Sequence, residues 1–267
     1  MSESWQHALS KYHYPVCLKD FRCAKEYPGF FDYSISGDRD STMHFETYFR
    51  SNAKKIEPWF EVVFWKLYSQ PNRSQQKTED TIQQLMRISE LELGELLEKA
   101  NDFMNSESRE DFDAFRKMFG FKTNVIAIVA TFPAFLHPHQ FPMVDTRIAK
   151  WVNLHYEDFN SKNPDAPQLI PSKYGNNSNT TVLTMNDFSF YLRWIHWTRY
   201  MAENLSLATG SYWRPRDVEM AIFTAWGKRR DQHPIIQLNP TFIKKGRDQD
   251  YNINYKHANP DRNSLKL

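Results

Sequence analysis

Three features of this 267-residue sequence predict an all-α fold. Apolar residues recur at helical spacing in one segment after another. Capping residues flank those segments, and no run alternates apolar and polar positions as a half-buried strand would. Aromatics at 15% and charged residues at 25% suit an ordered globular chain. The length allows one large core or two lobes that share an interface.

Residues 1–42 mix aromatics with Pro15, Pro28 and the turn-like SISGDRD, and their pattern assigns no element. Residues 43–69 read as helical. Pro58 is placed for a helix start and Pro71 for a stop, and Phe60, Val63, Phe64, Leu67 and Tyr68 make a wide apolar stripe. Residues 78–87 follow with Ile82, Leu85 and Met86 on one face. In SELELGELLEKANDFM, Ser89 precedes Glu92 by three residues, a capping-box spacing. SREDFDAFRKMFG places acids early, bases late and Gly120 at its end, as the helix dipole and a glycine stop require. KTNVIAIVATF then resumes at once, so residues 116–123 read as a tight helix–turn–helix. Its second helix, nearly all apolar and small, belongs at the centre of the core.

PAFLHPHQFP, with three prolines, reads as a loop. VDTRIAKWVNLHY is the next helix, with Asp145 as its cap and Ile148, Ala149, Trp151, Val152 and Tyr156 buried. Residues 160–181 are the longest polar stretch and read as a surface loop or insertion. MNDFSFYLRWIHWTRYMAENL is a strong helix capped by Asn186 or Asp187, and RPRDVEMAIFTAWGKRR is another, entered at Pro215 and left at Gly227. The last forty residues lack periodicity and carry nine lysines and arginines against four acids.

A formal charge of +2 and a pI near 8.4 give no global polyanion signal, so any polyanion partner would have to be met by local charge. Cys17 and Cys23 are the only cysteines, which excludes a disulfide scaffold and a four-cysteine metal or cluster site. His137 and His139 form an H-x-H pair without an evident third ligand, so no metal site is expected. The opening MSESWQHALSKYHYP has no basic-then-apolar leader, and no long uncharged apolar run occurs. The expectation is a soluble intracellular protein, cytoplasmic, nucleoid-associated or nuclear, without a membrane partner.

Two stretches stand out. MFGFKT places Lys122 and Thr123 just after Gly120, and PMVDTRI places Val144, Asp145 and Thr146 before an amphipathic run. Upstream, FEVVFWKLYSQ ends in Gln70. In this order the three resemble the helix-hairpin-helix DNA glycosylase superfamily, which includes endonuclease III and the 8-oxoguanine glycosylases. Gly120, Lys122 and Thr123 match its hairpin, residues 144–146 its Val-Asp-Thr segment, and the helix ending at Gln70 its early Leu-Leu-Ser-x-Gln segment, offset by one position. The resemblance covers residues 57–156 and, more loosely, the helix from Pro215 to Gly227. The chain departs from the family at Lys117 and Met118, which replace the hairpin proline and first glycine. The Lys122–Asp145 gap is also longer than usual, and the closing cysteine cluster is absent.

The resemblance implies a two-lobed helical fold with a cleft between the lobes. Residues 43–132 would form one helical bundle, residues 1–42 plus 133–230 the second lobe, and residues 231–267 a basic tail. It implies a monomer that excises a damaged base from double-stranded DNA and then cuts the abasic strand. Asp145 would stabilise the positive charge that develops on the sugar, since a helix N-terminus favours a carboxylate. Lys122 would attack C1′ as an amine and form a Schiff base. Gly120, Phe121 and Thr123 would hold a DNA phosphate through the hairpin backbone, Gln70 would fill the gap left by the flipped base, and Lys228 and Arg229 would touch phosphates. No iron–sulfur cluster or other cofactor is implied, although hairpin carbonyls in this family also hold a monovalent cation.

Plainer readings stand beside these. Asp145 also reads as a helix cap alone, Lys122 as a solvated lysine or phosphate contact, and Gln70 and Lys228 as polar helix ends. Trp194, Trp197, Tyr200 and Trp226 could stack on a flipped base, but their helical spacing reads first as core. The alternatives to an enzyme are a catalytically inactive hairpin protein that binds DNA, and an all-α interaction protein without a DNA role.

Overall fold

The computed structural model describes residues 2–14, 16–17, 34–35, 37–68, 75–121, 125–174, 182–227 and 233–238. Among these the chain is predominantly helical, as predicted. The helices are α1 (Ser2–Ser10), α2 (Arg39–Asn52), α3 (Glu57–Tyr68), α4 (Gln75–Leu85), α5 (Glu90–Ser106), α6 (Arg109–Met118), α7 (Thr131–Leu136), α8 (Thr146–Lys162), α9 (Phe188–Thr209) and α10 (Pro215–Trp226). Two two-residue strands, β1 (Val16–Cys17) and β2 (Ser34–Ile35), pair antiparallel. Helix α10 packs on α1, α8 and α9; α2 packs on α3 and α7; and α5 packs on α6.

Local chemistry accounts for most boundaries. Ser89 and Glu92 form the expected capping box at α5, and Ser108 caps α6 through the Asp111 amide. Gly120 follows the end of α6 with φ +61°, the left-handed conformation that closes a helix and that glycine adopts without Cβ strain.

Three expectations are corrected. First, among the described residues no helix follows the hairpin glycine until Thr131. Val125 bridges Thr184, the Ile126 amide donates to the Leu183 carbonyl at 3.1 Å, and turns carry the chain to α7. Val125, Ile126, Ile128 and Val129 are β-branched and weak helix formers, so a tertiary partner for their backbone wins. Second, PAFL is not loop but the body of α7, because Pro133 lies in the first helical turn, where its missing amide has no intrahelical role. Third, Asp187 stands at the N-cap of α9 as expected but makes no capping bond to that helix; the side chain that caps is Thr184, which opens a 3-10 turn, Met185–Asp187. Asp187 instead accepts from the Thr184 and Lys173 amides.

The polar stretch after α8 is also less open than expected. Asn153 and Asn160, both on α8, hydrogen-bond the backbone at Ser172, Tyr174 and Leu169, which pulls Leu169 and Ser172 into the interior.

Aromatic rings fill the core. Phe49, Trp59, Phe119 and Phe132 interlock with centroids 4.6–5.2 Å apart across α2, α3 and the start of α7. Trp151, Trp194 and Trp197 join α8 to α9 at 5.4–5.5 Å. Trp194, Trp197 and Trp226 are core residues, and Tyr200 packs at the core's edge.

Running beside the rings is a buried ionic network that the hydrophobic pattern does not announce. Along α10 every residue except Thr224 is buried, including Arg216, Asp217 and Glu219. Arg214 grips Asp217 at 2.8 and 3.1 Å and Glu46 of α2 at 2.7 Å. Arg216 pairs with Glu219 and, at 3.1 Å, with Glu46. Arg39 adds two 3.0 Å bonds to Asp217. Three guanidiniums thus face three carboxylates. Burial works against the Arg214 charge, but Glu46 and Asp217 outweigh it and hold the guanidinium above its usual value. Burial alone would raise Asp217; Arg214 and Arg39 overcome it and bring the carboxyl down to about 2. Burial pushes the Tyr12 hydroxyl up to about 12 beside this network, with Arg216 opposing.

A carboxyl lowered from 3.8 to about 2 on folding contributes stability that is present above pH ~4 and is lost as pH falls through ~2. At ~1.36 kcal/mol per pH unit, the contribution is about 2 kcal/mol. Denaturant midpoints measured across this window should fall more steeply for the native chain than for Asp217→Asn. Parallel curves would show that Asp217 is not held this way.

Candidate functional site

The best-defined candidate centre is Asp145 and the segment that delivers it. Residues 141–144 are buried and lack regular structure. They are held from two helices. From α9, the Trp194 indole donates to the Met143 carbonyl at 2.9 Å, and Arg199 Nε donates to the Gln140 carbonyl at 2.8 Å. The Arg199 guanidinium also lies 5.0 Å over the Phe141 ring and pairs with Glu107. From α3, Lys66 Nζ lies 3.7 Å from Met143 Sδ. Fixed on both sides, this short segment gives Asp145 a defined position.

Asp145 is the N-cap of α8, with extended backbone (φ −151°). Its Oδ1 accepts from the Arg147 and Ile148 amides at 2.8 and 3.0 Å, which satisfies two of the donors that a helix start leaves open. Oδ2 has no hydrogen-bond partner among the described residues, and the side chain is partly exposed. One oxygen therefore anchors the carboxylate while the other stays available to a ligand. Arg147, the second residue of α8, lies 4.1 Å over the Phe223 ring of α10.

Of the other residues singled out from sequence, Lys122, Thr123, Gln70, Lys228 and Arg229 lie outside the described residues. Gly120 is exposed, and the space around its missing Cβ is empty to 4 Å, so its glycine requirement is conformational and the backbone there is open to approach. Phe121 stacks on Phe119, with ring centroids 5.2 Å apart. Alongside α6 a cavity of about 320 Å³ is lined by Arg109, Glu110, Asp113, Arg116 and Met185. Two of its four charges, Asp113 and Arg116, are paired with each other. Lys117 and Arg116 both bind Asp113 and hold that carboxyl below its usual range.

No cluster of three or more histidine, cysteine or acidic side chains suited to a metal occurs among the described residues. His139 of the H-x-H pair faces the Tyr212 hydroxyl at 2.9 Å.

Sequence reasoning missed Lys66, Arg199 and the ionic face of α10. For α10 a signal existed: RPRDVEMAIFTAW carries apolar residues on every side, so its charges have no wet face to occupy. For Lys66 the local pattern gives none, because a lysine between Trp65 and Leu67 reads as a surface position.

Asp145→Ala should lower stability by about 1 kcal/mol, the usual cost of losing an N-cap, whereas Asp145→Asn should leave it nearly unchanged because asparagine caps as well. Thermal unfolding of the two variants distinguishes them. Equal loss in both would mean that the carboxylate charge, rather than the cap, carries the stability.

Comparisons with family models, with curated proteins and with solved structures return no match to this chain.

Proposed function

We propose that the chain is a DNA glycosylase of the helix-hairpin-helix kind, which excises a damaged base from duplex DNA with Asp145 as its essential carboxylate. The observation that carries this reading is Asp145 itself: one oxygen committed to the helix amides, the other uncommitted, on a segment anchored by α3 and α9. A carboxylate fixed this way is preorganised for charge that develops on a bound sugar. Breaking an N-glycosidic bond develops that charge at C1′, and water or an amine then adds there. The open, positive-φ turn at Gly120 supports a second part of the reading, a backbone approach to a DNA phosphate. Lys122, two residues on, is the amine proposed for the lyase step. The two-lobed arrangement, the monomeric state and an intracellular location belong to the same proposal. Among the described residues no helix is long and apolar enough to cross a membrane.

A second reading has one specific observation in its favour. Helix α7 begins at Thr131 rather than beside the hairpin glycine, so the turn at Gly120 is not closed by a second helix as in the family motif. That favours a protein that binds DNA, or another partner, without excision.

Asp145→Asn separates the two, since it keeps the cap and removes the charge. On lesion-bearing duplexes it should abolish base release while DNA affinity stays equal or rises slightly. Unchanged release by the folded variant reduces Asp145 to a cap. For the lyase step, borohydride should trap a covalent adduct on abasic DNA, with the modified peptide containing Lys122, and Lys122→Gln should lose both trapping and strand cutting. Base release without an adduct at Lys122 would leave the excision intact and remove the lyase part.

A further inference from the structure

Glu107 is the only non-glycine residue with a positive φ among the described residues. It closes α5 in the left-handed conformation (φ +52°), and its amide donates to the Phe103 carbonyl at 2.7 Å. Glycine or asparagine is the usual residue there, because a longer side chain strains that backbone. Such strain persists only where the surroundings hold it in place. Here the side chain does the holding. Its Oε2 lies 2.7 Å from His196 Nε2, and its Oε1 lies 2.5 Å from Arg199 Nη1. His196 and Arg199 are three positions apart on α9, so one carboxylate grips one face of that helix.

Arg199 passes the constraint on. Its Nε donates to the Gln140 carbonyl at 2.8 Å, and its guanidinium lies over the Phe141 ring. A planar guanidinium bound at two of its nitrogens has one orientation. Without Glu107 the same side chain, 30% exposed, regains rotamer freedom. Residues 140–141 open the stretch that ends at Asp145, and Trp194 grips that stretch only further on, at the Met143 carbonyl.

We infer that Glu107 is a positioning residue for Asp145: it orients Arg199, Arg199 places the backbone of residues 140–141, and that backbone sets where the outer carboxylate oxygen of Asp145 points. The inference rests on the glycosylase reading and adds to it a control on the alignment of the carboxylate, without a contact to DNA. Electrostatic stabilisation of a developing charge depends on such placement. The strained backbone at Glu107 is then retained because no glycine or asparagine could reach both partners on α9.

The test measures the single-turnover rate of base release, at saturating protein, from duplexes that each carry uracil, hypoxanthine, 7-methylguanine or 8-oxoguanine, together with DNA affinity and thermal melts. Glu107→Gly relieves the backbone strain while it removes the grip, so the variant should fold. It should slow release by about 10-fold, below the ~100-fold scale of a 1 Å misplacement because Trp194 still holds Met143, and leave DNA affinity unchanged. Glu107→Gln, which keeps an acceptor for Arg199, should recover part of the rate. Arg199→Met should show the same defect, and adding Glu107→Gly to it should cost nothing further, since both act through one chain of contacts. Wild-type rates in folded Glu107→Gly, a loss confined to DNA affinity, or defects that multiply in the double variant would overturn the role of Glu107 and leave the glycosylase reading standing. No release from any of the four duplexes by wild type overturns that reading, and this assignment with it.

Discussion

The fold depends on keeping five charges dry. Glu46 on α2 and Arg214, Arg216, Asp217 and Glu219 at the head of α10 are all buried, and Arg39 closes the set from the surface side. Each ion alone would be prohibitive to bury, and together they are tolerable only in one geometry. That geometry fixes where α2 meets α10. Because α10 also packs on α1, α8 and α9, it sets the frame on which the start of α8 is held. A hydrophobic contact between the same helices would tolerate sliding, whereas forked guanidinium–carboxylate pairs do not.

The candidate site inherits its precision from this frame. Phe223 of α10 lies beneath Arg147, α9 binds the 140–143 backbone through Arg199 and Trp194, and α3 supplies Lys66. Asp145 is thus positioned by groups from three helices although it makes only local hydrogen bonds itself. The same residue caps a helix and offers a free oxygen, so the structural and chemical readings of Asp145 are compatible. A helix start is where a charged group can project while the helix body anchors it.

Much of the fold was legible in the sequence because the deciding interactions are local. The Ser89–Glu92 capping box, the glycine stop at Gly120 and the Asp145 cap each involve residues within a few positions of one another, so spacing alone identifies them. The errors arose where distant residues decide. Residues 125–130 look helical by apolar content, yet the 183–184 segment takes the backbone of Val125 and Ile126. The ionic face of α10 and the burial of Lys66 also depend on partners more than a hundred or about eighty positions away, Glu46 and Met143 respectively. At the site, Asp145 was legible as a cap with a possible second use. The contacts that anchor its segment were not, because a tryptophan, an arginine and a lysine on separate helices leave no shared sequence pattern.

The proposed activity is the breaking of a glycosidic bond. Its most direct test is mass-spectrometric detection of free base after incubating the wild-type protein with a set of duplexes, each carrying one lesion. At least one lesion base should appear in solution in amounts that grow with time and protein concentration, leaving an abasic site at the lesion position. DNA retained by the protein with every lesion base still attached would contradict it.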